Sequence, residues 1–344
     1  MALRLALIGC GKITQRLALP QLAACAGARV TALVDVNRRL AETVATRFDI
    51  DRRLVWTDWR RMLRQAEVDA VGVCLPNHLH AEVTLAALAA KKHVLVEKPM
   101  ALSLAEADRM IAAARAHRRV LMVEQTQRFE PAHEVAAMLL RRGAIGPVTQ
   151  VRGRLGHAGP EYWSHTSPWF TQRAQSGCGA LMDVGSHILD VLRWLSGKDV
   201  ARVCCQAKTL RKSVAVEDNA SALLEWKDGT LGSFEVSWTT HPYEVTTDWY
   251  GARGTLRTRL GASHPVTIDW SNPDGSPRKA SGQLRYPRVP KTSRHQSAYA
   301  YFVRCIQTGT RPFISGEEGR KSLAVILAAY ESARTGRWVN LPQP

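Results

Sequence analysis

The chain has 344 residues, of which 45% are hydrophobic and 22% charged, enough apolar material for two folded domains and too much for a disordered chain. Lys and Arg outnumber Asp and Glu by 47 to 30, a formal charge of +17. Yet the basic residues are scattered in pairs such as Arg60-Arg61, Lys91-Lys92, Arg118-Arg119 and Arg141-Arg142. With no zinc-finger spacing, RNA-recognition motif or continuous basic helix to support a nucleic-acid binder, the rival that the charge suggests, no nucleic-acid partner is expected.

The elements, in chain order, begin with a short apolar strand at 3–8 that ends in Gly-Cys-Gly. A helix over 13–26, a strand at 29–34 ending at Asp35 and a helix over 38–48 follow. Further strands are expected at 70–75, 93–96 and 120–123, and helices over 81–90 and 104–117. The last helix opens on Ser103-Leu-Ala-Glu106, a capping-box pattern. Short apolar strands alternating with helices mean βαβ units, hence a doubly wound parallel sheet with ligands at its carboxyl edge.

The second half changes grain. Strands with polar/apolar alternation are expected at 148–155, 200–209, 220–226, 231–238, 244–250 and 255–260, with helices over 131–142, 182–195, 296–307 and 317–334. Lys227-Asp228-Gly229 reads as a hairpin turn, and 271–295 as a long surface loop. This half is expected to be an α+β domain on an open, mostly antiparallel sheet, which places the domains at 1–123 and 124–344. No apolar run is long enough to span a membrane, and the opening MALRLALIGCG is too short and glycine-rich for a secretion signal. Seven cysteines without a CxxC suit a reducing, cytoplasmic setting with no structural zinc.

Three features carry chemistry. Gly9-Cys10-Gly11-Lys12-Ile13-Thr14 links a strand to a helix: Gly9 permits a tight turn, and Gly11 lets the backbone approach a pyrophosphate on the helix N-terminus. Thr14 stands where the fingerprint's third glycine belongs, and looser helix–strand packing is the expected consequence. Asp35 is placed to bind the ribose hydroxyls of NAD, although a helix-capping role is its rival, and Arg38 and Arg39 keep NADP open. Second, Leu75-Pro76-Asn77-His78-Leu79-His80 and Glu97-Lys98-Pro99 close two strands at the expected cofactor crevice. Pro99 is expected to hold Lys98 extended. Third, Asp183 and His187 lie one helical turn apart, a tunable acid/base pair if they share a helix face; a capping Asp beside a buried His is the rival.

Together with PNHLHAEVTLAAL at 76–88 and QRFEP at 127–131, these residues resemble the Gfo/Idh/MocA oxidoreductase family over essentially the whole chain. The resemblance implies a Rossmann domain followed by an α+β domain, a tightly held NAD(P), and hydride exchange with a sugar, cyclitol or sugar derivative. It implies Lys98, Asp183 and His187 as catalytic residues. Cofactor contacts are expected from Gly9, Gly11, Lys12, Ile13, Asp35, Arg39, Leu75, Pro76, Asn77, His80, Glu97, Lys98 and Gln125. Substrate contacts are expected from Gln127, Arg128, His157, Tyr162, Trp169 and His241, with Trp163, His165, Trp238 and Tyr243 as further candidates. The basic chain favours an anionic substrate, and a homodimer or homotetramer is expected. The rival functions are a non-catalytic NAD-binding regulator and an enzyme of glycosidase or epimerase type that returns its NAD unchanged.

Overall fold

The protein is described here by a computed structural model covering residues 2–162, 168–270, 284–293 and 295–342; the candidates Trp163 and His165 lie outside it, as does most of the expected 271–295 loop. The chain forms two compact units, the first drawn from Met1–Gln125, Ala174–Gly177 and His295–Arg320, the second from Thr126–Arg173, Cys178–Arg294 and Lys321–Pro344.

The first unit runs β1 (Leu3–Ile8), α1 (Leu19–Ala23), β2 (Ala28–Val34), α2 (Arg38–Arg47), β3 (Val55–Trp56), α3 (Trp59–Gln65), β4 (Ala70–Val73), α4 (His80–Ala89), β5 (His93–Glu97), α5 (Leu104–Ala116) and β6 (Leu121–Glu124). Its described strands are all parallel, in the order β3-β2-β1-β4-β5-β6. That is the Rossmann order, with its switch point between β1 and β4. Every residue of β4 is buried, as is the centre of β5, which explains why these strands read as unbroken apolar runs. At α5 the Ser103 hydroxyl accepts from Glu106 N–H, and the Glu106 carboxylate returns to Ser103 N–H, so the capping box forms as written. The sequence reading missed β3 and α3. A two-residue strand shows no period, and α3 is short and Arg-rich.

The second unit contains α6 (Pro131–Arg141), β7 (Val148–Gly156), α7 (Arg173–Ser176, shared with the first unit), α8 (Ala180–Asp183), α9 (Gly185–Ser196), β8 (Val200–Lys208), β9 (Asn219–Trp226), β10 (Leu231–Ser237), β11 (Glu244–Gly251), β12 (Gly254–Arg259), β13 (Val266–Trp270) and β14 (Leu284–Arg285). The chain then gives α10 (Ala298–Thr308) to the first unit, divides α11 (Gly316–Thr335) between the two, and ends with β15 (Val339–Asn340). Among the described residues the sheet order is β14-β13-β12-β11-β7-β10-β9-β8-β15, antiparallel except where β7 meets β10.

One face of this sheet is tightly covered. A Cβ on Gly153 of β7 would stand 2.9 Å from both Ile188 and Leu192, so α9 lies directly on the strand. Trp226, Phe234, Trp238 and Trp249 are fully buried and supply much of the core. The pattern of β9 follows, with Ala220, Ala222, Leu224 and Trp226 inward and Ser221 and Leu223 outward. Beneath α9, Asp190 receives Arg128 through two nitrogens at 2.6 and 2.7 Å and the Ser322 hydroxyl at 2.9 Å, all of them buried.

Candidate active site

At the carboxyl edge of the first sheet, β1 turns through Gly9 at φ +97°, and a Cβ there would stand 2.1 Å from the Cys74 carbonyl oxygen. Only glycine fits that position. At Gly11 a Cβ would meet no atom within 4 Å, so the fold itself does not ask for glycine; the bare backbone faces open space. Lys12 is half-buried and Ile13 is 45% exposed beside it. Thr14 overturns the expectation of loose packing. It is fully buried and its hydroxyl donates to the Gly9 carbonyl at 2.5 Å. The helix widens into a π turn over Thr14–Ala18, which makes room for the side chain that replaces the third glycine.

Asp35 follows β2. One carboxylate oxygen accepts from Cys10 N–H at 2.8 Å, the other from Asn37 N–H at 2.9 Å. Asn37, not Asp35, caps α2, through Leu40 N–H at 3.1 Å. A carboxylate can accept about four hydrogen bonds, so ribose hydroxyls still have places there. Arg39 is exposed on the first turn of α2, while the neighbouring Arg38 pairs with Glu42. The open Gly11, the helix start and the half-buried Asp35 fit a dinucleotide.

The next two strand ends are stapled together. His80 is fully buried, and its ring nitrogens lie 2.8 Å from the carbonyl oxygens of Leu75 and Pro99. It therefore sits between the turn after β4 and the turn after β5; burial lowers its pKa, so its single ring N–H donates to one of these two carbonyls. Leu75 and Pro76 remain half-exposed at this edge. Asn77 is buried and donates to Ser176 O at 2.7 Å. The Lys98–Pro99 peptide is cis, and Lys98 is half-buried with its amide donating to the Glu97 carboxylate at 3.3 Å. Glu97 pairs in register with Glu124 of β6. Glu124 is buried, neither of its oxygens has a hydrogen-bond partner among the described residues, and burial followed by the charge of Glu97 raises its carboxyl well above the ordinary range. Gln125, next along, is buried as well. Sequence reading missed Glu124, which sits inside an apolar strand and belongs to no motif.

In the second unit the helix expected over 182–195 is interrupted between the two residues. Asp183 ends α8 and His187 lies in the first turn of α9, separated by the turn at Val184. The bond that a continuous helix would send from His187 N–H to Asp183 O goes to Val184 O at 3.2 Å, and the Ser186 hydroxyl takes Asp183 O at 2.8 Å. Gly185 at this junction admits Ile326 of α11, 3.3 Å from where a Cβ would stand. Its smallness serves helix packing.

The Asp183 carboxylate is held by distant residues. Trp238 Nε1 donates to it at 3.0 Å, and His157 Nε2 lies 3.7 Å from the same oxygen. His157 Nδ1 accepts from Gly159 N–H at 2.9 Å, so the proton sits on Nε2, facing Asp183. His157 and Trp238, read as substrate contacts, are thus Asp183's supports. Glu217 was missed altogether. It accepts from Gly179 N–H and Leu181 N–H at 3.0 Å each and from the Tyr330 hydroxyl at 2.6 Å, which fixes the start of α8. A Cβ on Gly179 would stand 1.9 Å from Glu217 O, which is why that glycine is needed.

Of the remaining substrate candidates, Arg128 is corrected. It is 1% exposed and bound to Asp190, a buried ion pair that serves the packing of the second unit. Gln127 is buried and its carbonyl accepts from His133 Nδ1 at 2.9 Å. Tyr162, 60% exposed, meets the exposed His241 edge-on with ring centroids 6.0 Å apart, and Trp169 stacks on Phe170 at 3.8 Å.

A Rossmann unit with a dinucleotide turn, joined in one chain to an α+β unit holding an Asp/His couple, defines a nicotinamide-dependent oxidoreductase class. The family model described as the oxidoreductase family, NAD-binding Rossmann fold, matches residues 3–125, and the Gfo/Idh/MocA C-terminal domain matches residues 133–257. The chain is 32% identical to the inositol 2-dehydrogenase of Paracoccus denitrificans, covering 79% of this chain and 81% of that protein. It is 29% identical to the 1,5-anhydro-D-fructose reductase of Ensifer adhaerens, covering 97% of each. The crystal structure of the WlbA dehydrogenase from Bordetella pertussis in complex with NADH and UDP-GlcNAcA superposes with a TM-score of 0.85 at 25% identity over all of both chains. The chain belongs to the Gfo/Idh/MocA family of oxidoreductases.

Proposed function

We propose that Lys98, Asp183 and His187 are the catalytic residues of an NAD(P)-dependent oxidoreductase acting on a hydroxyl or keto carbon of a sugar, cyclitol or sugar derivative. The bound nicotinamide supplies the hydride acceptor or donor. His187 takes the hydroxyl proton during oxidation and returns it during reduction. Asp183, oriented by Trp238 and His157, favours the charged imidazole. Lys98 donates to the substrate oxygen and stabilises its developing negative charge. What supports this assignment most is the Lys98 turn at the carboxyl edge, where buried His80 sits between two backbone carbonyls.

Lys98→Ala and His187→Ala should each lower turnover by about 10²–10⁴-fold while leaving NAD affinity within a few-fold. Near-full turnover in both variants would remove the assignment. Release of NADH in step with oxidised sugar separates a dehydrogenase from an enzyme that returns its cofactor unchanged.

The finer properties follow from the same reading. The Tyr162–His241 pair and stacked Trp169 serve a sugar ring, and the net charge favours an anionic one. No described helix is long and apolar enough to cross a membrane. The free cysteines support a cytoplasmic setting. The outer face of the second sheet exposes Leu223 at 55% and Leu231 at 54%, which supports a homodimer or homotetramer built on that face. Light scattering on the purified protein tests the assembly.

A further inference from the structure

The amino-terminal edge of the first unit's sheet, away from the strand ends that carry Gly9 and Lys98, holds a cavity of about 420 Å³. Arg115, Arg118, Arg119 and Arg311 line it together with His93, the first residue of β5. Ile111, Leu121 and Ile306 give it an apolar wall. Arg115 and Arg311 converge on one carboxylate, that of Glu317 in the first turn of α11, at 2.7 and 3.0 Å. Burial pushes the Glu317 carboxyl up, but hydrogen bonds from the Ser315 hydroxyl, its own amide and Arg115, with the charge of Arg311, bring it down to about 2. An anion is therefore strongly favoured at this place, and the chain supplies one of its own.

Two guanidinium groups have no such partner. The side chains of Arg118 and Arg119 make no hydrogen bond or ion pair with any described residue, and the Arg119 Nε is buried without a partner. His93 does not offset them: burial first, then the charge of Arg119, lowers its pKa to about 4, and its Nδ1 accepts from Val120 N–H at 3.0 Å. Four guanidinium groups thus face one carboxylate across a cavity of ligand size. Guanidinium forks match the paired oxygens of a phosphate, and the start of a long helix adds free N–H groups and the positive end of its dipole.

We propose that this cavity binds a small phosphomonoester, with the phosphate on Arg118 and Arg119 and its organic body against Ile111, Leu121 and Ile306. The site shares no residue with the cofactor turn or with Lys98, so its standing does not depend on the catalytic assignment. The probe is phenyl phosphate, which joins a doubly charged head to an apolar ring, titrated into the full-length protein by calorimetry with and without saturating NAD.

The expected result is binding that persists under NAD and weakens as salt is raised. The doubly substituted Arg118→Gln, Arg119→Gln protein should bind at least tenfold more weakly, with thermal unfolding and sugar oxidation unchanged. Glu317→Gln should bind several-fold more tightly, because the competing carboxylate is gone. Phenol should not bind, and benzoate, with one charge, should bind less well than phenyl phosphate. Should the double variant fail to fold, Arg118→Gln alone carries the test, since Arg118 is exposed. No binding by the unsubstituted protein, full displacement by NAD, or unaltered affinity in the arginine variants would each overturn the proposal.

Discussion

The glycine turn after β1 and the helix junction at Asp183 are built in opposite ways. The turn is almost all backbone: Gly9, Cys10 and Gly11 are consecutive, and the one remote side chain that closes it, Asp35, ends the next strand. The junction is almost all side chain. Asp183 is held by His157 and Trp238, and the helix it ends is started by Glu217 and Tyr330, four residues spread along the second unit. A backbone site is sensitive only where a Cβ cannot fit. A side-chain site is sensitive at every partner, wherever that partner lies in the chain.

That difference can be broken in order of size. Arg128→Met leaves Asp190 buried without its cation under α9 and should cost about 3–5 kcal/mol in denaturant unfolding. Retained stability would mean that the buried pair does not anchor that helix. Gly9→Ala meets both the Cys74 carbonyl and a positive φ, and a loss of roughly 1–3 kcal/mol is expected with NAD binding at least tenfold weaker. Gly11→Ala, which meets no protein atom, should leave the unfolding midpoint unchanged and weaken NAD alone.

Trp238→Phe removes an indole N–H that donates to Asp183 and should destabilise the fold by about 1–3 kcal/mol. Turnover should drop roughly tenfold, or 1.4 kcal/mol of barrier, with the dissociation constant for NAD unmoved. Equal loss of NAD affinity would show that the indole does not act through Asp183.

The smallest effect is expected at Glu124. Its folded pKa lies above the ordinary 4.5, so it contributes stability below that value and loses it as pH rises through the folded pKa. Glu124→Gln should therefore melt a few degrees higher than the parent at pH 7–8 and no higher at pH 4. A gain of the same size at both pH values would place the cause outside titration.

Much of the fold was legible. Apart from β3 and α3, the strands and helices of the first unit, and six strands of the second, follow from unbroken apolar runs, period-two alternation and the Ser103 capping box. These signals come from neighbours in the chain. β3 was lost because two residues carry no period, and β13 because its alternation is short and borders a Pro- and Ser-rich stretch. Gly9, Gly11, Asp35 and Lys98 were legible as local motifs. Arg128 was misread because a charged residue beside a motif looks like a ligand contact until its buried partner, Asp190, is seen. His157 and Trp238 were noticed for their chemistry, but their task was hidden because nothing in the sequence joins them to Asp183.

By itself, the amino-acid sequence determined the order of strands and helices, the dinucleotide turn and the residue types available for proton transfer. Period, glycine and capping act over a few neighbouring residues, so they can be read directly. Tertiary structure alone decided that α10 returns to the first unit, where Tyr299 lies so close to β4 that a Cβ on Gly72 would stand 2.6 Å from its hydroxyl. It likewise decided that the helical hydrogen bonding is interrupted after Asp183 and that four arginines share a cavity at the amino edge of the sheet. Those outcomes depend on which apolar faces meet and which charges are desolvated together. Contacts between residues remote in the chain set both.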